Sequence, residues 1–141
     1  MIEHVHQRIK VVRAVELDDA TGQTAGALRL AGVGRSTTDA SRIWLGKVRT
    51  PAGYASEAHH HGEAETAGYV LEGRAYLLFG EGYGERIDLE AGDFVFVPPH
   101  TPHVEGNASD DHELVWLTAR SPDNIVVNLG SHDPASTAGA L

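Results

Sequence analysis

Two stretches of this sequence concentrate the side chains that bind metal ions. The first runs Gly53-Tyr54-Ala55-Ser56-Glu57-Ala58-His59-His60-His61-Gly62-Glu63-Ala64-Glu65. A strand presents residues i and i+2 on one face, so His59 and His61 can aim two imidazoles at one point while His60 faces away. Neutral imidazole is the commonest protein ligand for transition metals, and a nearby carboxylate adds charge compensation. Glu65 lies beyond a turn signalled by Gly62, close enough in sequence to come back to the same point. The second stretch passes from Gly92 through Asp93-Phe94-Val95-Phe96-Val97 to Pro98-Pro99-His100-Thr101-Pro102-His103 and on to Asn107. An apolar strand stopped by prolines there sets a further histidine, His103, at the start of another strand. Five of the nine histidines fall in these two stretches. A single internal run of histidines reads equally as a solvated loop; the second stretch argues against that.

Other candidates carry less. His4 and His6 repeat the i, i+2 spacing, but near a terminus solvation explains them. His112 and His132 read as loop residues. Glu57 shares strand parity with His59 and reads either as an acid/base group facing the site or as a solvated charge at its mouth. Glu63 is a second acid/base candidate. Asp93, directly after Gly92, fits a turn-stabilising role. Trp44, Tyr69, Tyr76, Phe94, Phe96 and Trp116 read as core.

The elements that must position these groups are short and β-like. Runs at 43–49, 68–79 with a break at Gly73, 85–89, 93–97, 114–119 and 125–129 are rich in β-branched, aromatic and other apolar residues. Glycine-rich or proline-rich turns bound them. A further short strand is expected near 27–30, within a loop-rich stretch at 18–42. No apolar period of 3.6 persists for three turns, so no substantial helix is expected. Sixteen glycines in 141 residues fit many tight turns between strands. The pattern is that of an all-β sandwich or barrel.

Composition narrows the function. The length suits one domain, 41% hydrophobic and 22% charged residues are ordinary for a globular chain, and no internal repeat or linker divides it. The absence of cysteine excludes disulfides, thiolate metal sites and a cysteine nucleophile. A net charge of −9 opposes binding to nucleic acid or anionic lipid. With no apolar signal core and no run long enough to span a membrane, a cytoplasmic location is expected.

Taken together, the two stretches resemble the paired motifs of the cupin superfamily, written G-x5-H-x-H-x3,4-E-x6-G and G-x5-P-x-G-x2-H-x3-N. Gly53, His59, His61 and Glu65 fill the first in order, and Gly92, Pro98, His103 and Asn107 fill the second at the correct spacing. Two positions depart. Seven residues instead of six separate Glu65 from Gly73, so counting back from Gly73 puts Thr66 at the carboxylate position. Either a bulge turns Glu65 inward, or the site has three histidines and no carboxylate; Glu65 is favoured, with Glu63 as substitute. His100 stands where the motif has glycine, and if that corner needs positive φ, histidine is among the better-tolerated residues.

The resemblance implies a double-stranded β-helix (jelly-roll) barrel as a single domain over 1–141, with a motif core at about 43–119. It implies one divalent ion (Mn, Fe, Co, Ni, Cu or Zn) on His59, His61, Glu65 and His103, with Glu57 and Glu63 as catalytic candidates. The expected function is a metal-dependent enzyme of dioxygenase type acting on a small oxygenated molecule. A thiol dioxygenase with a Cys–Tyr crosslink is excluded. Isomerase, cyclase and decarboxylase chemistry, a non-catalytic ligand-binding or sensory role, and a purely structural metal are the alternatives. Small cupins commonly pair through N-terminal strands, so a homodimer is expected, with 1–17 contributing a strand across the interface. The tail at 133–141 is expected to fray.

Overall fold

The computed structural model describes residues 8–131. Its strands are β1 (Leu28–Val33), β2 (Trp44–Thr50), β3 (Ala58–His60), β4 (Glu65–Glu72), β5 (Arg74–Phe79), β6 (Glu85–Glu90), β7 (Phe94–Val97), β8 (His103–Asn107), β9 (Leu114–Ser121) and β10 (Val127–Gly130). They form two five-stranded antiparallel sheets, ordered β1-β2-β9-β4-β7 and β10-β3-β8-β5-β6. This is the expected all-β jelly roll. The only α-helical segment among the described residues is the single turn α1 (Arg35–Thr38).

Period-two alternation builds each sheet. On β2, Trp44, Gly46, Val48 and Thr50 are buried while Leu45, Lys47 and Arg49 are exposed. Register then sets a gradient inside the barrel. Trp116 on β9 pairs with both Val48 and Val70, and with Ala75, Leu77, Leu89 and Leu114 these form the apolar core. Two and four residues further along β9, the inward positions are Thr118 and Arg120, paired with Gly46 and Trp44 on one side and Gly68 and Thr66 on the other. The interior therefore changes from apolar to polar along its length. Gly106 on β8 fits beneath Tyr76, whose ring would lie 1.9 Å from an added Cβ, so only glycine lets β5 and β8 approach here.

One expectation needs correction. Phe94 and Phe96, read as core, are 79% and 59% exposed. Val97 and Val95 take the inward positions of β7, and Phe94 packs instead on Tyr69 across the outer face, with ring centroids 4.7 Å apart. Residues 8–17 form no strand in this chain, only a 3-10 turn at Ala14–Glu16, and Ile9 and Val15 are almost fully exposed. Residues 1–7, with His4 and His6, and residues 132–141, with His132 and the tail at 133–141, lie outside the described residues.

Candidate metal centre

The pairing of β3 with β8 brings the two histidine-bearing stretches together. Its register sets His59 directly opposite His103. His61 follows on the turn after β3, and a second link, from the His100 amide to the Gly62 carbonyl at 2.7 Å, ties that turn to the proline corner. His100 has φ +55°, so the corner does take the left-handed conformation that the motif's glycine supplies. Asn107 closes the far end of β8: its amide donates to the carbonyls of Thr50, Pro51 and His112, and its Oδ1 accepts from the Ser109 amide.

His59, His61 and His103 are all buried, and one ring nitrogen from each lies within 4.8 Å of the others. Each Nδ1 faces a backbone carbonyl: Glu57 O at 2.9 Å, Ile125 O at 2.8 Å and Thr101 O at 2.8 Å, respectively. A carbonyl only accepts, so each Nδ1 carries the proton and each Nε2 keeps a lone pair. Burial pushes all three below the ordinary histidine value, His59 to about 3 and His61 to about 2, so they are neutral near pH 7. Three neutral imidazoles with pinned tautomers are the state a divalent ion needs.

Glu65 is not in this cluster. It is exposed at the start of β4, whereas Ala64, Thr66, Gly68 and Val70 are buried. From Glu65 to Val70 the pairing with β9 is regular, and the register shift comes only between Val70 and Glu72, too late to rotate Glu65 inward. Thr66 occupies the inward position and accepts a hydrogen bond from Arg120 Nε at 3.1 Å. Glu63 is exposed and Glu57 half-buried; Glu57 contributes its backbone carbonyl to His59. His60 is turned from the cluster and accepts from the Gly62 amide, while Asp93 caps its turn by accepting from the Glu90 amide at 2.8 Å. His112 is exposed beside Asp111.

The carboxylate at the site is Glu105, which sequence reasoning missed. It lies two residues after His103 on the same face of β8, and its Oε1 is 3.9 Å from His59 Nε2 and 4.0 Å from His103 Nε2. Burial raises its pKa, but His59, His103, Arg29 and Arg120 outweigh that and hold it at about 2. Near pH 7, with the imidazoles neutral, the two guanidinium groups are the counter-ions that remain. Arg120 is buried and makes three hydrogen bonds, to Thr66 Oγ1, to Asn124 Oδ1 at 2.9 Å and to His61 Nε2 at 3.0 Å. Burial lowers it to about 9, still cationic at neutral pH. The i, i+2 parity that pairs His59 with His61 would have found Glu105, and Thr118 and Arg120 alternate on β9 in the same way.

Several buried polar atoms have no hydrogen-bond partner among the described residues, among them His59 Nε2, Glu105 Oε2 and Arg29 Nε and Nη2. In a sheet protein such atoms are rarely left unsatisfied. The imidazole and carboxylate atoms are nitrogen and oxygen donors grouped around one point, which suits a transition-metal ion. A cavity of about 20 Å³ lined by Thr66, His103, Glu105, Thr118 and Arg120, among others, adjoins them. A larger recess of about 180 Å³ shares Leu77, Val95, Val97 and His103 with it and is otherwise lined mainly by Phe79, Ile87, Phe96 and Pro98. A separate recess of about 620 Å³ around Ala25, Arg49 and Tyr54 includes none of the three histidines.

Comparison with known proteins agrees with this fold. A 3-hydroxyanthranilate 3,4-dioxygenase of Cupriavidus pinatubonensis is 36% identical over 64 residues, 45% of this chain and 34% of that protein. An uncharacterized protein of Methanocaldococcus jannaschii is 32% identical over 59 residues, 42% of this chain and 45% of its own. The chain thus spans less than half the length of these curated relatives. Among solved structures, an S161A mutant of Bacillus subtilis oxalate decarboxylase superposes with a TM-score of 0.67 at 21% identity, over 83% of this chain and 31% of that one. A double-stranded β-helix protein of Klebsiella pneumoniae superposes with a TM-score of 0.62 at 16% identity, over 78% and 90%. At those identities the likeness is one of fold. The sequence pattern of the cupin domain matches residues 46–120, more than half the chain and the part that carries both histidine stretches, and on that ground the protein belongs to the cupin domain family.

Proposed function

We propose that His59, His61 and His103 hold one divalent transition-metal ion, with Glu105 in place of the expected Glu65 as the carboxylate beside it. On that centre the chain acts as a metal-dependent enzyme of dioxygenase type on a small oxygenated molecule. The observation that carries the reading is the convergence of three buried imidazoles, each with its Nδ1 proton engaged by a carbonyl. A bound ion would supply a Lewis-acid centre with positions open to substrate or dioxygen. The chain's own residues do the rest. Glu105 is ionised and buried, so it can balance charge or accept a proton at Oε2. Arg120 donates to the same His61 lone pair that an ion would use, so loading the site moves that N–H elsewhere. The largely apolar recess beside it offers room for a small molecule.

The dioxygenase direction is supported by the stretch shared with 3-hydroxyanthranilate 3,4-dioxygenase. The metal could be any of Mn, Fe, Co, Ni, Cu and Zn by donor chemistry, and one of the solved oxalate decarboxylase structures concerns Mn(II) centres. A non-catalytic ligand-binding role is the second reading, favoured by the apolar lining and by Glu63 and Tyr54 standing exposed. A homodimer is part of the proposal: Leu28, Leu45, Leu117, Phe94 and Phe96 leave one sheet's outer face apolar, and Ile9 and Val15 stand exposed beside it in sequence. So is a cytoplasmic location. No helix among the described residues is long and apolar enough to cross a membrane.

The test is metal analysis of untagged protein with anomalous diffraction across metal edges. One ion within bonding distance of His59, His61 and His103 is expected. A cluster that stays empty after incubation with each metal overturns the reading. Dioxygen uptake by the Fe(II)-loaded protein with candidate substrates then separates enzyme from binding module, because a binding module leaves its ligand unchanged.

A further inference from the structure

Both ring nitrogens of His61 lead to one connection, residues 122–126 between β9 and β10. Nδ1 donates to the Ile125 carbonyl. Nε2 accepts from Arg120 Nη2 at 3.0 Å, and Nη1 of the same guanidinium donates to Asn124 Oδ1 at 2.9 Å. Asn124, itself only 8% exposed, passes the contact on. Its Nδ2 donates to Thr21 Oγ1 at 2.9 Å and to the Gly22 carbonyl at 3.0 Å. Thr21 and Gly22 form the tip of a strap, residues 19–26, whose ends are fixed elsewhere. Asp18 exchanges two backbone hydrogen bonds with Ala31, and the Ala25 carbonyl accepts from the Glu57 amide. Gln23 and Thr24 are tied to Arg29 and Asn128. Beyond the strap itself, the tip's polar ties are those to Asn124 and one long contact from Arg29 Nη1 to the Gly22 carbonyl, 3.5 Å.

One lone pair on His61 cannot serve both Arg120 and a metal ion. A guanidinium is a rigid planar fork, so turning Nη2 off His61 also turns Nη1 off Asn124. A buried carbonyl oxygen left without a donor is costly. The planar Asn124 amide must then turn towards another donor, and its Nδ2 leaves Thr21 and Gly22 as it does so.

We propose that Arg120, Asn124 and the Thr21–Gly22 tip form a relay that reports metal occupancy of the histidines at the protein surface. Without an ion, Arg120 latches His61 to Asn124 and Asn124 latches the tip. An ion on His61 releases Arg120 and, through it, the tip. Gln23 to Gly26 of the same strap line the 620 Å³ recess that includes none of the three histidines, so the change reaches a second surface feature. The relay rests on the metal-centre reading, since it needs an ion on His61, and adds a regulatory output to it. Coupling between two sites is reciprocal. Whatever loosens the tip must therefore ease the displacement of Arg120 and tighten metal binding.

Zinc is the probe, titrated into the isotope-labelled full chain and followed by amide magnetic resonance and by calorimetry. The backbone amides of Thr21 and Gly22 and the side-chain amide of Asn124 should shift as zinc binds. In Asn124→Ala the two tip amides should stay where they are. Thr21→Val changes a half-buried side chain that touches no histidine, and it should tighten zinc binding severalfold. Asn124→Ala should tighten it at least as much. Damage to the fold would weaken zinc binding, so a gain separates the relay from a merely structural role. Affinity unchanged or weakened in both variants overturns the proposal, and so does a tip shift that persists in Asn124→Ala. If Asn124→Ala does not fold, Thr21→Val decides alone. Zinc binding with a silent tip sinks the relay and leaves the metal reading standing; a chain that binds no zinc overturns both.

Discussion

The two stretches that supply the histidines treat their glutamates in opposite ways. On β4, Glu65 follows His61 and points to solvent; on β8, Glu105 follows His103 and is buried against the cluster. Both stand within four residues of a clustered histidine. The difference is continuity of strand. His103 and Glu105 belong to one uninterrupted strand, so period-two geometry carries the carboxylate to the face that holds the imidazole. Between His61 and Glu65 the chain turns at Gly62, and parity restarts on β4 with Thr66 inward. Nearness in sequence to a clustered histidine counts for less than sharing its strand face.

The contrast can be broken by experiment. Glu105→Gln should have the largest effect, because it leaves Arg29 and Arg120 buried without their shared anion. Removing one partner of such a group costs about 3–5 kcal/mol, which corresponds to a melting temperature lower by on the order of 10 °C. Thermal denaturation checks this, and an unchanged midpoint would refute the counter-ion role. Next, His103→Ala should weaken zinc or manganese binding by more than about a hundredfold, since even residues behind the ligands are worth 10–100-fold. Isothermal titration reads it, and near-normal affinity would move the ion elsewhere.

Acid is the third probe. The buried histidines titrate below their ordinary value, so the unfolded chain binds more protons than the folded one as pH falls. Their contribution is whole above about pH 6.5 and is lost on the way down towards about 3, the value for His59. The loss is on the order of 1.4 kcal/mol per pH unit for each histidine. Glu105 acts in the same direction below its ordinary value, towards about 2. Denaturant titrations of the metal-free chain at pH 7, 6 and 5 should show this slope; a flat profile would mean the histidines are solvated. The smallest effect belongs to Glu65→Gln, within about 0.5 kcal/mol and with metal affinity unchanged. A large loss there would restore Glu65 to the site and undo the contrast.

Much of this was legible in the primary structure because spacing is geometry. The i, i+2 histidines, the turn glycines and the Pro98 corner foretold the strands, the barrel and the meeting of His59, His61 and His103. Asn107 shows why the second motif ends as it does: one amide satisfies three carbonyls where β8 leaves the barrel. What stayed hidden depends on pairing between distant strands. Phe94 and Phe96 look like core by composition, and only the alternation shared with β4 shows that Val95 and Val97 face inward. Arg29 and Arg120 look like surface charges until β1 and β9 are seen to turn them into the interior.

The carbonyls of Glu57, Thr101 and Ile125 have a consequence for rates. By fixing each imidazole's tautomer and direction as the chain folds, they leave little rearrangement for an arriving ion to drive beyond the displacement of Arg120. Association should then be quick and limited by that one guanidinium, and residence time should track the rigidity of three peptide groups that never touch the ion.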